Sequence, residues 1–157
     1  MTKNLVTELT KEDVEKFSLI ISIRAFRTVD QDRPPLIPTK AARRATWVDT
    51  AGLYCALDQV TAYYETKDHL TNPVTYLISS ENPLSVFDAE AYCKAKGIPE
   101  AKFYAGITSG ALGIHQLPGL NVQEVIWPSE KNPNGKSLAL YIENILNFPQ
   151  GFTAHKI

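Results

Sequence analysis

The apolar residues of this chain fall in short runs, each closed by a turn residue or a helix cap, a pattern that fits a sheet of short strands joined by turns and single helices. Gly52-Leu53-Tyr54-Cys55-Ala56-Leu57 reads as a buried strand. Asp58 follows it as a good N-cap for a helix through Val60, Ala62, Tyr63, Tyr64 and Lys67. After Asn72-Pro73, strands are expected over 74–79 and 84–87, and Asp88 caps a helix that Gly97 ends. Two more strands, 122–127 and 137–142, flank the turn-rich SEKNPNG. Strands outnumber helices and the links are short, which indicates an α+β fold.

The ends of this pattern are less regular. Thr10 and Asp13 resemble a capping box, and Val14, Phe17, Leu19 and Ile20 supply an apolar stripe, so a short helix is expected to lead into a strand over 18–24. The three prolines of QDRPPLIP forbid regular helix between Asp30 and Thr39 and fix a surface loop of the kind that often covers a site. A short helix is expected over 107–115, although Gly106, Gly110 and Gly113 disfavour it.

A chain of 157 residues, 44% of them hydrophobic, has enough apolar material for one domain, 1–157, with a sizeable core. Its formal charge of −1 gives no bulk reason to bind nucleic acid or an anionic membrane, and no apolar run is long enough to span a bilayer. The opening MTKNLVTELTKEDVEKF carries acids where a secretory signal has its apolar region, and Cys55 and Cys93 form no Cys-x-x-Cys pair. A cytoplasmic protein without a disulfide framework is expected.

Several chemistries are disfavoured by spacing. His69, His115 and His155 are far apart and none has a carboxylate at ligand spacing, so no metal site is expected. Gly135-Lys136-Ser137 resembles the end of a phosphate-binding loop, but Glu130 stands where that motif needs glycine and a strand follows rather than a helix. No Gly-x-Ser-x-Gly elbow is present, and neither cysteine has a histidine partner in sequence. What remains is a set of polar residues at element ends: Arg24, Tyr54, Glu65 and Ser129. Glu65 borders the buried face of its helix, although composition alone favours a solvated carboxylate there, while Arg24 reads equally as an edge-strand charge.

Their order is informative. An apolar strand carries an Arg in Ile23-Arg24-Ala25, and Arg43-Arg44-Ala45-Thr46-Trp47 follows. Next come a strand with Tyr54, a turn and a helix reaching Glu65 eleven residues later. The series ends with Val125-Ile126-Trp127-Pro128-Ser129, a glycine-containing turn and Ser137-Leu138-Ala139-Leu140. This series resembles the RES domain, named for its Arg, Glu and Ser, the toxin half of certain bacterial toxin–antitoxin pairs. The chain departs from the family in lacking the glycine pair before Arg-Trp, which leaves Arg43 and Arg44 as alternatives, and Arg27 competes with Arg24 for the family Arg.

The resemblance implies an ADP-ribosyltransferase-like fold, a mixed β-sheet core flanked by short helices, that binds NAD⁺ and cleaves its nicotinamide–ribose bond. The products would be free ADP-ribose, its phosphate, or an ADP-ribosylated macromolecule. Glu65 and Arg24 are then the expected catalytic pair, and Arg24, Tyr54, Ser129 and Arg44 the expected NAD⁺-binding residues. A fixed carboxylate would stabilise the oxocarbenium-like ribose, a guanidinium would anchor pyrophosphate or ribose, and Tyr54 would pack on nicotinamide. Glu124 is the alternative acid. The family also implies a helical, Xre-type antitoxin partner, while homo-oligomerisation is left open.

Overall fold

In the computed structural model, which describes residues 9–40, 51–109 and 121–157, Thr10 begins the first helix. Its Oγ1 accepts the Asp13 amide at 3.1 Å, and the Asp13 carboxylate accepts the Thr10 amide at 3.2 Å. This reciprocal capping box opens α1 (Lys11–Lys16), followed by β1 (Ser18–Ile21), β2 (Arg24–Asp30), β3 (Thr39–Lys40) and β4 (Ala51–Ala56). Asp58 then caps α2 (Gln59–Thr66) by accepting the Thr61 amide at 2.8 Å. A single 3₁₀ turn, Lys67–His69, leads to β5 (Pro73–Ser80) and β6 (Leu84–Asp88). Asp88 caps α3 (Ala89–Lys96) in the same way, and Gly97, at φ +67°, ends it in the left-handed conformation that glycine adopts without strain. The chain continues through α4 (Glu100–Ser109), β7 (Glu124–Pro128), β8 (Lys136–Tyr141) and β9 (Phe152–Lys156).

The protein is α+β, with short helices packed on a mixed sheet. Its strand order is β1-β6-β7-β8-β4-β2-β5-β9, with β3 on β4, and among the described residues only β6 and β7 are parallel. That pair is the one joined through α3 and α4, as a parallel connection requires. Because register partners share a face, the sheet separates two cores. One holds Tyr92, Phe103, Tyr104, Val125, Trp127 and Tyr141 beneath the helices. The other holds Leu53, Ile78, Leu138 and Leu140 and is covered by Ile145, Phe148 and Phe152 from the chain after β8.

Four boundaries differ from the sequence expectations. The strand expected over 18–24 is broken at Ser22-Ile23: β1 pairs with β6, whereas Arg24 opens β2 against β5. The expected proline loop is shorter, because Asp30 still pairs with Pro73 and Thr39 already pairs with Gly52. The helix expected over 107–115 gives way to α4, which starts just after Pro99, and residues 110–115 lie outside the described ones. Strand β9 was not anticipated. No helix among the described residues is long and apolar enough to cross a membrane.

Candidate active site

The two seams of β4 are unequal. Against β8 it pairs through five residues, Gly52 to Ala56, but against β2 it makes only the pair Phe26–Ala56. Beyond that pair the strands part, and a cavity of about 80 Å³ lies among Arg27, Thr28, Tyr54 and Cys55, with Glu65 and Thr66 of α2 and Trp127 and Ser137 of β7 and β8 completing the lining.

Arg27 spans the gap. It is only 8% exposed, and its Nη1 donates to the Tyr54 carbonyl at 2.7 Å while Nη2 donates to the Ile37 carbonyl of the proline loop at 3.4 Å. One guanidinium therefore ties β2, β4 and the loop together through charge-assisted bonds. The Tyr54 ring meets Trp127 edge-on, with centroids 6.0 Å apart.

Glu65, half-buried in the last turn of α2, is held from the β7–β8 turn. The Ser129 hydroxyl donates to Glu65 Oε1, and the Lys131 amide approaches the same oxygen at 3.5 Å. Ser129 Oγ itself accepts the amides of Lys131 and Asn132 at 3.2 and 3.1 Å. Among the described residues no donor meets Glu65 Oε2.

The turn is locked onto the helix as well. Asn132 Nδ2 donates to Thr61 Oγ1 at 2.9 Å, and Thr61 Oγ1 donates to the Asp58 carboxylate at 2.6 Å. Gly135 sits so close that an added Cβ would lie 1.9 Å from Thr61 Oγ1, which only glycine allows. The cap of α2 and the turn bearing Ser129 thus form one polar unit.

No family model and no curated protein matches the chain. Among solved structures it is similar to a chain of the MbcT–MbcA toxin–antitoxin complex of M. tuberculosis, with a TM-score of 0.63 and 17% identity. The two share a fold. The alignment covers 94% of this chain and 91% of the other.

Of the sequence candidates, Glu65 and Tyr54 line the cavity and Ser129 is bonded to Glu65. Arg24 is elsewhere: as the first residue of β2 it pairs with Ser79, is exposed and does not line the cavity. The strand end leaves its charge in water, whereas Arg27 is buried and donates to two carbonyls. Arg43 and Arg44 lie outside the described residues. Glu124 pairs with Leu140, whose own partner is Leu53, so it faces the second core, away from Tyr54 and Trp127. It is 2% exposed, and burial pushes its carboxyl up to about 8.

Sequence reasoning missed Thr61, Asn132, Trp127 and Ser137. A serine in the otherwise apolar run Ser137-Leu138-Ala139-Leu140 was the available signal for the last. Burial pushes the Cys55 and Cys93 thiols up to about 12, so neither is a thiolate nucleophile near neutrality. Among the described residues no three His, Cys, Asp or Glu side chains gather as a metal-binding group.

Proposed function

We propose that this protein is a bacterial toxin that binds NAD⁺ with its nicotinamide end at the cavity between β2 and β4 and breaks its nicotinamide–ribose bond. The observation that carries the reading is the Glu65 carboxylate, fixed by Ser129 beside an aromatic-lined cavity that the buried Arg27 also borders. The likeness to a chain of a toxin–antitoxin complex supports the toxin role.

In this reading the C–N bond electrons leave with nicotinamide, and positive charge develops on the ribose. Glu65 Oε2 stabilises that charge and holds a ribose hydroxyl, while Ser129 and the Lys131 amide keep the carboxylate from turning away. Arg27 supplies positive potential for the pyrophosphate, the role that the sequence alone assigned to Arg24. Tyr54 and Trp127 pack against the pyridinium, whose charge their rings favour. Water or phosphate completes the reaction, giving ADP-ribose or its phosphate. An Xre-type antitoxin in the cytoplasm would silence the protein by covering this cleft.

The test is nicotinamide release from NAD⁺ by purified protein, followed by chromatography with and without phosphate, beside Glu65→Gln. Release by the wild type alone is expected. Release only when lysate is added, with label appearing on a macromolecule, would replace hydrolysis by ADP-ribosyl transfer. No release in either setting and no thermal shift would leave a binding module, because ligand at 100 times its Kd adds about 2.7 kcal/mol to stability.

A further inference from the structure

Among the described residues most buried hydroxyls have partners. Thr28 Oγ1 pairs with Thr75 Oγ1 at 2.8 Å, Thr61 bonds to Asp58, and Ser129 bonds to Glu65. Ser137 is different. It is 4% exposed, and its Oγ has no hydrogen-bond partner among the described residues. Ser18 Oγ is also unpartnered, but it lies on edge strand β1, away from the cavity. Ser137 lies in the middle of the sheet, paired with Ala56 on one side and Trp127 on the other, so its side chain points to the face that carries Trp127 and Tyr54. It lines the same cavity as those rings, Arg27 and Glu65.

An alanine would fill this position without burying a polar atom, and native proteins leave very few buried polar atoms unpaired. An unpaired hydroxyl in a cavity with aromatic walls matches a planar ring bearing one polar substituent. A hydroxyl both donates and accepts, which suits a neutral amide better than a charged group. Charged parts of a ligand have Arg27 and Glu65 instead.

Resting on the NAD⁺ reading above, we propose that Ser137 is the specificity residue of the cavity, its hydroxyl recognising the carboxamide of the pyridine ring that departs. Discrimination of this kind is strong when a site group is left unpaired by the wrong ligand.

The experiment compares wild type and Ser137→Ala in NAD⁺ cleavage, in inhibition by nicotinamide and in binding of ADP-ribose, which lacks the ring. Expected for Ser137→Ala are a rise of about 5- to 10-fold in KM and in the nicotinamide inhibition constant, less change in kcat, and unchanged ADP-ribose affinity. Unchanged nicotinamide inhibition would overturn the proposal, and so would a parallel loss of ADP-ribose affinity, the mark of a disturbed fold. A measurement on the wild type alone keeps the proposal testable if the variant misfolds: nicotinamide should bind about 10-fold more tightly than unsubstituted pyridine, and equal affinities would sink it. The two readings fail separately. Nicotinamide bound through Ser137 without any cleavage of NAD⁺ removes the reaction and keeps the recognition residue, whereas cleavage indifferent to Ser137 does the reverse. Absence of both binding and cleavage overturns both.

Discussion

Half-buried Glu65 and buried Glu124 stand on opposite faces of one sheet, and they are treated differently. Glu65 stands where β2 and β4 part, and it receives a hydroxyl and a backbone amide from the β7–β8 turn. Glu124 stands where the ladder β7–β8–β4 is closed, among apolar side chains, and its Oε2 has no partner among the described residues. An open seam admits donors that keep a carboxylate usable. A closed one leaves protonation as the way to keep a carboxyl buried.

The strongest way to break this comparison is Glu65→Gln, expected to lower NAD⁺ cleavage by about a thousandfold with Tm nearly unchanged. Retained activity would show that the open seam is not the site. Next comes the arginine pair on β2. Arg27→Ala removes the charge-assisted bonds to the Tyr54 and Ile37 carbonyls and should cost about 3 kcal/mol along with most activity, whereas Arg24→Ala should stay within about 0.5 kcal/mol of wild type. Denaturant unfolding of both variants decides it, and equal losses would contradict the contrast.

Glu124→Gln tests the closed seam through pH. The folded protein keeps the Glu124 proton up to about 8, whereas the unfolded chain releases it near 4.5. Between those values the folded state binds more protons, so this group's favourable contribution is complete below 4.5 and is lost as pH rises toward 8. Glu124→Gln should therefore gain on the order of 3 kcal/mol relative to wild type on going from pH 5 to pH 8, read as Tm at both values. A pH-independent difference would mean that the carboxyl is ionised throughout. A smaller loss is expected from Gly135→Ala than from Arg27→Ala: it drives a methyl into Thr61 and should cost about 1–2 kcal/mol. Its activity should fall further than its stability, because the turn that aims Ser129 moves.

The sequence was legible where a local rule sufficed. Asp58, Asp88 and Gly97 each act through the next few residues, and each cap is where the pattern put it. Glu65 was legible for the same reason, since a helix started at Asp58 carries it to the edge of the buried face. Arg24 and Arg27 were harder to separate. They lie in one run, and what separates them is the break at Ser22-Ile23 and the partner strand β5, fixed by residues far along the chain. Ser137 was illegible for a related reason: which face it presents depends on its register with Ala56 and Trp127. Helix α4 was misplaced because the glycines near 106–113 drew the reading toward that segment, while Pro99, a common neighbour of a helix start, was passed over.

The grip of Ser129 on Glu65 joins residues 64 positions apart, and that separation has a consequence for the order in which the protein is made. A chain emerging from the ribosome as far as α4 already contains Arg27, Tyr54 and Glu65, yet it lacks Ser129, Lys131 and Ser137. The carboxylate is synthesised early and is aimed only when the β7–β8 hairpin arrives. A cell translating this chain thus meets an assembled cleft only after residues 129–137 have been made.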